Sequence, residues 1–258
     1  MKCVLLISVC SLLIATASIT YDEYNVLQQV IFADHAKGSE DVEDLTKPPY
    51  KIDKPVSVDI SKLSLANKTL FYPLMLHAVF KLEKYKTSNL FSITDKTGYV
   101  KKIMLTLKAN PGNLNEFILK SDSFSMKTVS FREKMSLKNK WTNVSFYVQH
   151  DKVSFWLDCE KKEPDFERSG SVFHDIDLNG DYHVHLSDAV HPFHGEFQDI
   201  KIFVGAEESI IDNICKTDFR LPDSVCIVLL KSLLILVIIC QASCLPTLLL
   251  TDAAANVN

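Results

Sequence analysis

Glycine is scarce in this chain, with seven in 258 residues. A triple helix demands glycine at every third position, so no collagen-like rod can form from it. No glycine-rich phosphate loop and no Ser-His-Asp or Cys-His signature is present. Those absences set the chain against phosphoryl transfer and nucleophilic catalysis. Tryptophan occurs only at Trp141 and Trp156. Neither sign of charge dominates: 28 basic residues stand against 32 acidic ones, a net charge of −4.

What is abundant is alternation with a period of two. The stretch from Trp141 to Glu160 reads WTNVSFYVQHDKVSFWLDCE. Val144, Phe146 and Val148 fall on one face of a first strand, and Val153, Phe155 and Leu157 on one face of a second. His150-Asp151 supplies the turn between them. Similar strand patterns recur at 50–60, 74–82, 89–94, 99–107, 115–120, 127–131, 182–187 and 197–204. Asp95-Lys96-Thr97-Gly98 is a hairpin turn. Residues 22–32 read as a short amphipathic helix with Asp22 as its N-cap. Residues 34–49 form an acidic loop broken by Pro48-Pro49, and Ala206–Cys215 a final helical turn. Many short strands separated by turn signals predict an all-β fold. The expected architecture is an antiparallel β-sandwich of jelly-roll type with a short N-terminal helix.

Residues 1–17 have the form of a secretory signal: Lys2, an apolar run over Val4–Ala15, and Ala15-Thr16-Ala17 as the cleavage site. Cleavage there removes Cys3 and Cys10 and leaves Cys159, Cys215, Cys226, Cys240 and Cys244. Only Cys159 and Cys215 lie in the patterned β region. In an oxidising compartment they should pair, the alternative being two buried thiols. The N-x-S/T triplets at Asn67 and Asn143 fit the same compartment. Asn143 precedes the inward Val144, so it points outward. Secretion also sets nucleic acid aside as a partner.

The end of the chain, residues 220–258, is a hydrophobic tail. Val225–Leu250 is apolar apart from interruptions such as Lys231, Gln241 and Pro246. The uninterrupted stretch after Lys231 falls short of the ~20 residues that span a bilayer. The polar end 251–258 has no Lys or Arg to satisfy the positive-inside rule. A single-pass anchor, a replaceable targeting tail and a truncated end all stay open. The expected location is therefore the secreted matrix or, with an anchor, the cell surface.

Several motifs stand in a specific order: Tyr50-Lys51-Ile52, Leu70-Phe71-Tyr72-Pro73, the strand Leu74–Leu82, Leu90-Phe91-Ser92-Ile93, Trp141, Ser154-Phe155-Trp156-Leu157-Asp158-Cys159, and Phe193-His194-Gly195-Glu196-Phe197-Gln198-Asp199-Ile200-Lys201-Ile202. Over about residues 22–219 the chain resembles the N-terminal domain of thrombospondins and of fibrillar and non-fibrillar collagens. The resemblance implies a laminin-G-like, concanavalin-A-like sandwich spanning residues 18–219 and closed by a Cys159–Cys215 disulfide. It also implies non-catalytic binding of glycosaminoglycan or matrix proteins. Thr142 stands where the family carries His, and His183-Val184-His185 where a glycine is common. No collagen triplets, EGF modules or coiled coil follow. A second reading is therefore a structural assembly domain of a truncated collagen-like chain that binds no glycan.

Charge is unevenly spread. Residues 95–140 hold ten basic and four acidic side chains, net +6. The candidate glycan-binding set is Lys101, Lys102, Lys120, Lys127, Arg132, Lys134, Lys138 and Lys140. Neighbouring strands bring such lysines together, and a polyanion such as heparan-type glycosaminoglycan can then bridge several. The bland alternative is a solvated β surface whose lysines discourage edge pairing. Histidines cluster late, at His174, His183, His185, His191 and His194. His183 and His185 share a strand face, a ligand-like spacing for zinc. Asp175, Asp177 and Asn179 offer hard oxygens for calcium, although Leu186 stands where an EF-hand places its closing Glu. No organic cofactor is called for; calcium or zinc is the candidate, set against a polar turn with exposed histidines. Glu163-Pro164-Asp165-Phe166-Glu167 spells the E-x-D-x-E of some jelly-roll glycosidases, but Pro164 denies a ladder hydrogen bond there. Trp156 points outward if Phe155 points inward, and Trp141 should plug the sandwich end.

The cysteine count yields a first test. A non-reducing peptide map of the secreted protein should recover the Cys159 and Cys215 peptides linked to each other. Quantitative alkylation of both without reduction would rule the pairing out.

Overall fold

The computed structural model describes residues 21–35, 48–112, 114–121, 127–163, 166–167 and 173–216. The expected signal, residues 1–17, and the hydrophobic tail, residues 220–258, lie outside the described residues, among which no helix is long and apolar enough to cross a membrane. The chain divides into two compact units, Met1–Ile211 and Asp212–Asn258.

The first unit is an antiparallel β-sandwich of two seven-stranded sheets. Sheet A runs in the order β1 (Asp22–Asn25), β16 (Gly195–Val204), β5 (Leu74–Leu82), β10 (Trp141–Val148), β11 (Val153–Leu157) and β12 (Glu160–Lys162), with β2 (Tyr50–Ile52) also paired to β16. Sheet B runs β13 (Phe166–Glu167), β9 (Lys127–Lys134), β8 (Leu114–Ser121), β7 (Lys101–Lys108), β6 (Thr87–Asp95), β15 (Tyr182–Leu186) and β3 (Val56–Asp59). A small third sheet pairs β4 (Thr69–Leu70) with β14 (Ile176–Asp177). Two α-helices, α1 (Val26–His35) and α2 (Ile210–Lys216), and a 3-10 turn at Ile60–Lys62 complete the described residues. Of the second unit only the end of α2 is described.

The hairpin of β10 and β11 has the register its alternation dictates: Val144 faces Leu157, Phe146 faces Phe155 and Val148 faces Val153. These side chains are buried, and they meet the inward residues of sheet B. Phe155 stacks on Phe131 at 4.6 Å and lies 4.7 Å from Phe146 and 5.3 Å from Phe117, centroid to centroid. Aromatic pairs in such offset geometry add about 0.5–1.5 kcal/mol each beyond the area they bury. The start of β16 depends on Gly195. A Cβ there would stand 2.1 Å from the Lys81 carbonyl oxygen, so no side chain fits between β16 and β5.

Three local expectations change. Asp22 does not cap a helix, because Asp22–Asn25 pairs with β16 as an edge strand. The cap is Asn25, whose Oδ1 accepts from the Gln28 N–H at 3.1 Å. The strand expected over 50–60 splits between the sheets: β2 joins sheet A and β3 joins sheet B. Pro55, without an N–H, sits in the crossing. Trp141 plugs no end of the sandwich. It sits opposite Lys81 in the outward register of sheet A, with the Lys81 Nζ 5.3 Å from its ring centre.

The outer face of sheet A carries a row of Lys201, His77, Ser145, Trp156 and Lys161. Trp156 points outward as alternation requires, yet it is buried, with Lys161 Nζ 5.0 Å from its ring. His77 is fully buried, and its Nδ1 lies 2.9 Å from Ser145 Oγ. Burial, aided by the nearby Lys201 charge, pushes its imidazole down to about 3. Burial pushes the neighbouring Asp199 up to about 6 against the pull of Lys201.

These two groups act on stability with opposite signs. The unfolded chain protonates His77 near 6.5 and the folded chain near 3, so His77 favours the fold above 6.5 and withdraws that support as pH falls toward 3. The raised Asp199 favours the fold below 3.8 and loses its contribution as pH rises through about 6. His77→Gln should therefore flatten the acid-side loss of unfolding free energy by up to about 1.4 kcal/mol per pH unit. Urea melts between pH 6.5 and 4 would show it. Parallel slopes for the two proteins would remove His77 as the cause.

Candidate functional site

The outer face of sheet B differs from that of sheet A. The outward positions of four adjacent strands line a groove of about 580 Å³. β8 contributes Glu116, Ile118 and Lys120. β9 contributes Arg132, Ser130 and Thr128, and β7 contributes Lys108, Thr106 and Met104. Thr87 and Asn89 of β6, together with Lys101 and His191, complete the lining. No aromatic ring of Phe, Tyr or Trp is among these residues, so the groove offers hydroxyls, an amide and charge in place of a stacking platform.

A β-bulge decides which lysine enters. Ile93 pairs with Ile103, but Thr94 pairs with Lys101, which leaves Lys102 as the extra residue of β7. Lys101 lines the groove, while Lys102 sends its Nζ to 5.0 Å from the Tyr182 ring.

The charges at the two ends of the groove are handled differently. At one end Glu116 receives Lys108 Nζ at 2.9 Å and Arg132 Nη2 at 3.8 Å, and its side chain is only 17 % exposed. Burial pushes the Glu116 carboxyl up, but the hydrogen bond and charge of Lys108, with Arg132 and Ser130, outweigh it and hold the group below its ordinary value. At the other end Lys101 and Lys120 make no ion pair with any described residue. Burial lowers the Lys120 pKa, and the neighbouring Lys101 and Lys108 charges lower it further. Between the ends the floor is neutral. Thr106 Oγ1 donates to Asn89 Oδ1 at 2.7 Å, and Asn89 Nδ2 donates to Asp188 Oδ2. Asp188 Oδ1 also accepts the backbone N–H groups of Val190 and His191, at 2.9 and 2.6 Å. Asn89 N–H donates to the His191 carbonyl at 2.9 Å, so one carboxylate ties the loop wall to the strand floor.

The structure brings together part of the expected basic set. Lys101, Lys120 and Arg132 line the groove. Lys134 lies opposite Leu114, in outward register but beyond the lining. Lys127 lies opposite Ser121 at the start of β9, and its side chain is outside the described residues. Lys102, Lys138 and Lys140 are not in the groove: Lys138 bridges to Leu82, and Lys140 pairs with Asp158 at 2.8 Å. The glycan-binding set expected from the sequence leaves out Lys108, Glu116, Asn89 and Thr106, and His191 is expected only within the late histidine cluster. Outward alternation marked the first four, but only the strand order shows that they are neighbours.

The expected metal ligands are not gathered. His183 and His185 stand with ring centres 6.2 Å apart, and His185 Nε2 is 3.0 Å from Thr94 Oγ1. Asp175 Oδ1 accepts the Tyr72 N–H at 3.3 Å, and Asp177 Oδ1 accepts from Asn179 at 2.9 and 2.6 Å. Asp177 closes a local turn, whereas Asp175 holds the distant Tyr72 backbone. Among the described residues no three His, Cys, Asp or Glu side chains are placed to hold a metal ion. The E-x-D-x-E segment does not lie along one strand either. Glu163 follows β12 of sheet A, and Glu167 belongs to β13 of sheet B.

Asn67 is exposed at a turn with φ 56°. Asn143 is half-buried in β10, its Nδ2 3.9 Å from Cys159 Sγ. Cys159 and Cys215 are each disulfide-bonded. Cys159 occupies the tight turn from β11 to β12, where Asp158 and Cys159 both have positive φ, 49° and 70°.

No family model and no curated protein matches the chain. Among solved structures it is similar to the globular domain of T. cruzi calreticulin, with 13 % identity over 77 % of this chain and 93 % of that one and a TM-score of 0.47. It is similar to the CBM40 of a Ruminococcus gnavus IT-sialidase bound to α2,3 sialyllactose, with 13 % identity over 66 % and 96 % and a TM-score of 0.47. A heptameric SAP-like pentraxin from Limulus polyphemus gives 13 % identity over 62 % and 71 % and a TM-score of 0.43.

The Lys101–Lys120 proximity can be measured. In a competitive acylation titration the Lys120 amine should ionise below the ordinary lysine value of 10.5. Lys101→Ala should move that midpoint upward. A midpoint that stays in place would mean the two charges do not interact.

Proposed function

We propose that the chain is an extracellular, non-catalytic binding module that holds an acidic glycan in the groove of sheet B. One observation carries the reading: Lys101 and Lys120 line one groove with a polar floor and make no ion pair with a described residue, while burial and then the Lys101 and Lys108 charges lower the Lys120 pKa against the pull of Glu116. Placing two like charges together is unfavourable until an anion joins them. The outer face of sheet A supports the contrast. There Lys81 pairs with Glu196 at 2.8 Å, Lys201 with Glu23 at 2.9 Å, and Lys161 with Glu208 at 2.7 Å. The secretory leader, the sequons and the thrombospondin-N-terminal-like motifs support an extracellular setting, with glycosaminoglycan or glycan-bearing matrix proteins as natural partners. Calcium and zinc have no part in this reading.

Retention of the full chain on immobilised heparin and hyaluronan, read against salt, tests it. Lys101→Glu with Lys120→Glu should flatten the log–log salt dependence by about two, by analogy with counterion release from nucleic acids. Lys138→Ala with Lys140→Ala should change it little. Passage of the wild-type chain through both columns at low salt would end the proposal.

A further inference from the structure

Strand register lays the groove out as three cross-strand rungs. Met104, Lys120 and Thr128 stand side by side, then Thr106, Ile118 and Ser130, then Lys108, Glu116 and Arg132. Lys101 joins the first rung from beyond the β7 bulge. Along β8, Lys120 and Glu116 are four residues apart, which sets the outer rungs roughly 13 Å from each other at the rise of an extended strand. The first rung holds two cations and no carboxylate. The third holds two cations and one carboxylate, so both ends are net positive and the middle is uncharged. Asp188, bound to Asn89 and to two backbone amides of the wall, is not among the lining residues. Glu116 does not hold its two partners equally. Lys108 Nζ lies at 2.9 Å, whereas Arg132 Nη2 stands 3.8 Å away, beyond the length of a hydrogen bond, with its side chain 55 % exposed. The single carboxylate thus offsets Lys108 first. The planar fork of Arg132 is the shape that grips a carboxylate or sulfate with two parallel N–H bonds.

We infer that the groove takes two anionic groups of one ligand at once, the first at Lys101 and Lys120 and the second at Arg132, with an uncharged stretch of the ligand over Thr106, Ile118 and Ser130. The inference rests on the reading of the groove as an acidic-glycan site and narrows it. A glycan with one terminal acid occupies one end only. A chain whose acidic groups recur along its length reaches both ends. Once its first group is seated, the second binds from within the same molecule, at a high effective concentration. The neutral rung sets the separation that the two groups must have, so the groove selects for ligand length as well as for charge.

The test follows binding of the full chain, by NMR titration at physiological salt, to 3′-sialyllactose and to hyaluronan oligosaccharides of increasing length. The first carries a single carboxylate, and the second carry one per disaccharide. Affinity should rise by at least on the order of tenfold at the length that first reaches both ends, and level off beyond it. Arg132→Gln should remove that rise and leave the shortest ligands within about twofold of wild type, since only the second contact is lost. Lys101→Ala with Lys120→Ala should weaken every ligand. The wild-type length series stands as a test by itself if a variant misfolds. Affinity without a step in length, or an Arg132→Gln that weakens short and long ligands alike or neither, overturns the two-point site while the acidic-glycan reading stands. Binding of none of these ligands overturns both.

Discussion

The phenylalanine cluster between the sheets is the contact on which the rest of the molecule depends. Phe155 and Phe146 from sheet A meet Phe131 and Phe117 from sheet B at 4.6–5.8 Å between ring centres. A strand alternates strictly, so fixing which residues face inward also fixes which face outward. A one-residue slip in β8 or β9 would draw Lys120 and Arg132 into the core and push Phe117 and Phe131 into water. The energy that holds the sandwich together thus also holds the groove side chains in register, although no groove residue need take part in the core.

The two outer faces put the same residue types to different uses. On sheet A, Lys81, Lys161 and Lys201 each meet an acid within 3 Å, and two of its aromatic rings lie under lysines. Exposed pairs of this kind are worth about 0–1 kcal/mol each, so they serve to leave no field behind more than to stabilise. On sheet B the pairing is incomplete: Lys108 and Arg132 share one carboxylate, Glu116, and Lys101 and Lys120 make no ion pair with a described residue. Buried polar chemistry follows the same division: His77 and Asp199 belong to sheet A, where both are buried and their shifted ionisation affects stability.

Much of the fold was legible in the sequence because the half-buried strands write their period directly. The register of the β10–β11 hairpin follows from Val144, Phe146, Phe155 and Leu157 alone. The short strands β4, β12, β13 and β14 escaped because two or three residues carry too little pattern. The split of the 50–60 segment escaped because alternation does not say which sheet a strand joins. For the site, sequence found the basic segment but selected within it poorly. A bulge at Lys101–Lys102 separates neighbours in sequence, and a groove built from four strands gathers residues dozens of positions apart. In the sequence Glu116 is only one acid in a basic stretch, although the fold sets it between Lys108 and Arg132. The acidic and histidine cluster misled in the opposite sense: Asp177 accepts from Asn179 within its own turn, Asp175 accepts from the distant Tyr72 N–H, and His185 lies against Thr94.

The loop that forms the groove wall hangs on the strands through Asp188, which accepts from Asn89 on the floor and from two backbone amides of the wall. In many binding proteins the recognising loops float free of the scaffold, and new preferences arise by exchanging loops. Here the wall is hydrogen-bonded to the floor. Diversification within such a lineage is therefore channelled into substitutions at the outward positions of β7, β8 and β9, where a single codon can change the ligand without disturbing the frame that presents it.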